Sequence, residues 1–134
     1  MRLAVMGARK FKSEEYIQAV LNDYLPNIKV LVTALEQGTC QTALTFTKEY
    51  NEVVKYQDLG SQVTTLAFEL DLDYPYDEAL IKRNQNILNT ADISLVFWDN
   101  LDEEVRTFIN QAVKQNKHLI IHCIPNHDKE YNPQ

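Results

Sequence analysis

Two cysteines, at positions 40 and 123, are too few and too far apart to form a disulfide framework. A small secreted scaffold held by bridges is excluded, and both thiols are expected to be free in a reducing cytosol. Three glycines and four prolines in 134 residues likewise remove the collagenous and low-complexity classes. No apolar run approaches the about 20 residues of a bilayer span. The first apolar stretch, 3–6, is cut short by Gly7 and then Arg9, Lys10 and Lys12, so it is not a signal-peptide core. The expectation is a cytoplasmic protein without membrane contact. Positive charge is scarce too: 13 basic against 19 acidic side chains give a net charge of -6. That balance opposes non-specific attraction to nucleic-acid phosphates. Direct nucleic-acid binding is not expected, and a phosphate-bearing ligand would have to be held by a local cluster.

What is present suits one ordinary domain. With 45% apolar residues in a chain of this length, a single core can form without staples, and it is expected over 1–124 with a polar tail at 125–134. Short apolar runs at 3–6, 29–33, 63–68, 93–98 and 118–123 are rich in β-formers, as for strands covered on both faces. Between them, Ile17, Val20, Leu21 and Tyr24 share a helical face. So do Ala43, Phe46, Thr47 and Tyr50, and again Val105, Phe108, Ile109 and Ala112. A fourth helix is read over 76–89. Ser13 before Glu14 and Glu15, and Asn100 with Glu103, have the spacing of helix starts, and Pro26 is expected to end the first helix.

Alternating strands and helices predict an α/β, three-layer Rossmann-like sandwich on a five-stranded parallel sheet, most simply in the order 3-2-1-4-5. In that order the first and fourth strands lie at a switch point, where a crevice opens beyond their carboxyl ends. Gly7, Ala8, Arg9 and Lys10 follow one of these strands, and Asp99, Asn100 and Asp102 follow the other.

Four constellations carry candidate chemistry. Gly7-Ala8-Arg9-Lys10-Phe11 joins a strand to a helix, where Gly7 permits close approach and Arg9 can fork onto a phosphate or carboxylate. It lacks the later glycines of a dinucleotide fingerprint and the Gly-Lys-Ser/Thr of a P-loop. The alternative is a tight turn with a solvated arginine. Gly38 and Thr39, in Glu36-Gln37-Gly38-Thr39-Cys40-Gln41, can present amides at the next helix start, or simply begin that helix. Arg83 and Asn84 offer a cation and an amide side by side, unless they lie on a solvated face. Trp98 and Asp99, after Phe97, could wall a pocket and accept ligand hydroxyls. His122 and Cys123 alternate across a strand, so with His127 and Asp128 they are not read as a metal site. No motif points to a cofactor.

Gly7-Ala8-Arg9-Lys10-Phe11, Arg83-Asn84, Ala91-Asp92, Phe97-Trp98-Asp99 and Asn116-Lys117-His118, in this order and spacing, resemble the SLOG superfamily of small Rossmann-like nucleotide-ligand proteins. The resemblance spans nearly the whole chain. It implies a nucleotide-like small-molecule ligand at the C-terminal edge of the sheet, with Gly7, Ala8, Arg9, Gly38, Thr39, Arg83, Asn84, Trp98 and Asp99 around it. The family's glycine-rich second loop is reduced here to Gly38, and acidic Asp102-Glu103-Glu104 replace its small residues after the Trp-Asp turn. The nucleoside 2-deoxyribosyltransferases look similar in fold, and that comparison implies Glu103 or Glu104 as a nucleophile on an N-glycosidic bond. A third reading is a pocket that no longer binds, in a protein that meets partners or forms a homodimer through faces carrying Tyr16, Tyr24 and Tyr50.

Overall fold

Consecutive apolar residues in one strand can be satisfied only if both faces of that strand are covered, and the first strand shows how this is arranged. The computed structural model describes residues 1–11 and 13–125. In β1 (Arg2–Gly7), Leu3 and Val5 join one buried cluster while Ala4 and Met6 join another. The first cluster takes in Ile17 and Leu21 of α1 (Glu14–Asn22) and Ala43 of α2 (Thr39–Gln57). The second takes in Ile87 and Leu88 of α3 (Tyr76–Thr90) with Phe108 and Ala112 of α4 (Glu103–Lys114). Two helical layers therefore enclose one sheet.

The sheet has five parallel strands in the order β3-β2-β1-β4-β5. Its remaining members are β2 (Val30–Ala34), β3 (Thr64–Phe68), β4 (Ile93–Trp98) and β5 (His118–Cys123). The expected three-layer α/β architecture and strand order are those observed. Coverage on both faces holds for the central β1, β2 and β4. The edge strands β3 and β5 are only half covered, as exposed Leu66 and Ile121 show.

Helix boundaries differ in detail from the expectation. α1 ends at Asn22, and Pro26 lies beyond it in a 3-10 turn, Leu25–Asn27. Ser13 precedes α1 but makes no side-chain capping bond. α4 is capped by Asp102, whose Oδ1 accepts from the amides of Glu104 (2.9 Å) and Val105 (3.2 Å). Asn100 instead takes the left-handed conformation, φ 67°, in the turn before it, which asparagine tolerates.

Tyr24 and Tyr50 pack against the first core cluster. Tyr16 sits edge-on to Phe11 and Phe97 and bonds His122 Nδ1 through its hydroxyl at 3.1 Å. Among the described residues, no helix is long and apolar enough to cross a membrane. His127, Asp128 and the expected tail from 126 onward lie outside the described residues.

Candidate functional site

The loop after β1 is built into the start of α2. Ala8 O accepts both the Thr39 amide (3.3 Å) and the Thr39 hydroxyl (2.9 Å). A Cβ on Gly38, at φ +81°, would stand 2.4 Å from Arg9 O, and one on Gly7 would stand 2.6 Å from Thr39 Cγ2. Both glycines are therefore required by contact between two loops of the same chain. Thr39, in turn, is fully buried.

The loop after β4 is tied to the loop after β1. Asp99 Oδ1 accepts from the amides of Leu101 (2.9 Å) and Asp102 (2.8 Å), shaping the turn into α4. Asp102 Oδ2 receives the Arg9 amide at 3.5 Å and lies 3.9 Å from Arg9 Nε. Arg9 Nη2 reaches Glu104 Oε2 at 3.0 Å. This bridge draws the two sides of the β1/β4 crevice together.

An open cavity of about 510 Å³ lies beside this bridge, over the ends of β1, β2 and β3. Arg9, Arg83, Glu36, Glu69 and Glu104 supply its charges, Gln37 adds an amide, and Leu35, Leu70, Leu72 and Tyr76 supply its apolar surface. Leu35 and Leu72 are 57% and 81% exposed, so they form an apolar rim facing solvent. The volume falls within the usual range for small-molecule sites.

Arg83 defines the buried side. It is only 4% exposed, because position 83 falls on the inward face of α3 with Leu80, Ile87 and Leu88. Its Nη1 meets Glu36 Oε2 and its Nη2 meets Asn84 Oδ1, both at 3.3 Å, while Nε has no partner among the described residues. Asn84 is held from behind by Gln111 Oε1 at 2.8 Å. Asn84 thus supports Arg83 and does not line the cavity.

At the other end, Glu104 Oε2 also accepts the Tyr76 hydroxyl at 2.5 Å. That bond raises the Tyr76 pKa, with burial adding to the effect, because the phenol is the donor and its ionised form would face a carboxylate. Glu103 points away: its side chain is 77% exposed and pairs with Arg106 at 3.8 Å. Of the two candidate glutamates, only Glu104 reaches the cavity.

No protein-family model, curated protein or solved structure matches this chain. Of the nine ligand-site candidates, the structure brings Arg9 and Arg83 to one cavity. Gly7, Ala8 and Thr39 shape the loops beneath Arg9. Gly38 lines a different hollow of about 380 Å³ with Phe11, Gln41 and Thr42. Trp98 and Asp99 are outside the cavity. Trp98 lies under Arg106, 5.5 Å from ring centroid to guanidinium carbon, with Nε1 buried and unpartnered among the described residues.

Glu69, Leu72 and Tyr76 were not read as site residues from sequence, although the strand order already places the ends of β2 and β3 side by side. The signal was the alternation of Leu70 and Leu72 within an acidic loop.

Cys40 is no nucleophile. It is fully buried, and its thiol is pushed up to about 12, first by burial and then by the Glu36 charge, which keeps it protonated and inert. Both cysteines are free, and among the described residues no group of three His, Cys, Asp or Glu could hold a metal.

Proposed function

We propose that this protein binds a nucleotide-derived small molecule in the cavity between the ends of β1, β2 and β3 and the inner face of α3. One observation carries the reading: the cavity combines apolar surface from Leu35, Leu70, Leu72 and Tyr76 with paired charges, the Arg83–Glu36 pair on its buried side and the half-exposed Arg9–Glu104 pair on the other. A flat heteroaromatic ring suits the rim, and the hydroxyls of an attached sugar suit the carboxylates. The resemblance to SLOG domains points to the same edge of the sheet. Two free thiols accord with a reducing, cytoplasmic setting.

A second reading, chemistry at an N-glycosidic bond, is favoured by how Glu104 is held. Tyr76 and Arg9 both fix its Oε2, leaving the carboxylate oriented at the cavity wall. In that reading a Glu104 oxygen bonds the sugar C1′ as the base leaves with the bond's electron pair, and water or a second base then releases the sugar.

The test is a thermal-shift panel of nucleosides, nucleotides and sugar phosphates, with chromatography of each mixture for released base. A ligand at 100 times its Kd is expected to stabilise the fold by about 2.7 kcal/mol, of the order of 10 °C in Tm for a domain of this size. Free base in the mixture would establish the second reading. No shift with any member would contradict both and leave the partner-binding alternative.

A further inference from the structure

Phosphate recognition in an α/β fold draws on helix-start amides and uncommitted cations, and here the chain's own groups take three amides at the starts of α2 and α4 and pair both cavity arginines. Ala8 O takes the Thr39 amide at the start of α2. Asp102 takes the Glu104 and Val105 amides at the start of α4. Glu104 and Asp102 hold Arg9, and Glu36 holds Arg83. Glu69 adds a third carboxylate to a cavity that contains two cations. A phosphate meeting either arginine would sit beside the glutamate that already pairs with it, and that carboxylate, held in the same cavity, would repel it.

The same lining accepts neutral donors readily. Carboxylates at Glu36, Glu69 and Glu104 can receive hydroxyl or amine hydrogens without giving up their arginines, because each oxygen accepts more than one bond. Arg83 is more than nine-tenths buried on the cavity wall, with two long bonds and an unpartnered Nε. Its guanidinium has donor capacity left for an uncharged acceptor such as a ring carbonyl.

From this we infer that the cavity selects an unphosphorylated, nucleoside-class ligand, with Glu104 as the specificity-determining residue that excludes phosphate by occupying Arg9. The inference rests on the reading of the cavity as a site for a nucleotide-derived molecule. It narrows that class to members whose sugar carries free hydroxyls.

Calorimetric titration of the wild-type chain with the four ribonucleosides, the four 2′-deoxyribonucleosides and their 5′-monophosphates tests it. The nucleoside that binds is expected to do so at least tenfold more tightly than its monophosphate, a difference of about 1.4 kcal/mol. Raising the salt concentration should narrow that gap by screening the carboxylates. In Glu104→Gln, checked for folding by its melting curve, the ratio should fall at least tenfold, because Arg9 is released to meet phosphate. If Glu104→Gln does not fold, the wild-type ratio and its salt dependence decide alone. A monophosphate that binds wild type as tightly as its nucleoside would overturn the inference and leave the site reading intact. A ratio unchanged in folded Glu104→Gln would overturn the role given to Glu104. Binding of none of the sixteen compounds would overturn both.

Discussion

Replacing Gly38 with alanine is expected to lower the stability of the protein by about 2–6 kcal/mol. Two effects add. Position 38 holds φ +81° with ψ −132°, a sparsely populated, glycine-type region that costs an L-residue about 1–3 kcal/mol. The new Cβ would also lie 2.4–2.6 Å from the O, C and Cα of Arg9, and forcing an atom into packed backbone costs about 1–3 kcal/mol. Because those atoms belong to Arg9, relief of the clash must move the loop that aims its guanidinium at Glu104. Ligand affinity should fall together with stability. Denaturant unfolding checks the first effect, and a loss below about 1 kcal/mol would show that the two loops are not packed as described.

Glu36→Ala should cost about 2–4 kcal/mol, and adding Arg83→Met should recover most of it. Removing Glu36 leaves the Arg83 cation buried with, among the described residues, only the Asn84 side-chain carbonyl as partner, and stranding one member of a buried pair costs about 3–5 kcal/mol. The Glu36 side chain is 16% exposed, so some water can approach and the cost falls around the lower end of that range, about 2–4 kcal/mol. Methionine at 83 removes the stranded charge while keeping the apolar stem against Leu80 and Ile87. The double-mutant cycle reads the coupling directly. Additive losses would mean that Glu36 and Arg83 do not sense each other.

The covered parallel sheet was legible because each central strand carries apolar residues on both faces, and its order was legible as the simplest one that right-handed crossovers allow. Arg83 was legible in part. Its spacing from Leu80 and Ile87 puts it on the inward face of α3, yet a charged residue invites a solvated reading until its partner Glu36 is seen. Asp99 was harder. From sequence it is a carboxylate at a switch point, but in the structure its Oδ1 serves the amides of Leu101 and Asp102 and shapes a turn. The crevice expected between β1 and β4 is bridged by Arg9, Asp102 and Glu104. Side-chain pairs between distant loops decide this, and no periodicity reveals them. The opening that remains lies toward β2 and β3, where Leu35, Leu72 and Tyr76 sit on segments that read as plain loop or helix start.

The central claim is that one cavity, over the ends of β1, β2 and β3, is where a nucleotide-derived molecule binds. Amide chemical-shift mapping with the strongest binder of the panel tests it most directly. The largest perturbations are expected at 35–37, at 70–72 and at Glu104, with the Arg83 side chain shifting alongside. Perturbations confined to Gly38, Gln41 and Thr42 around the smaller hollow, or to Trp98 and Asp99, would contradict it.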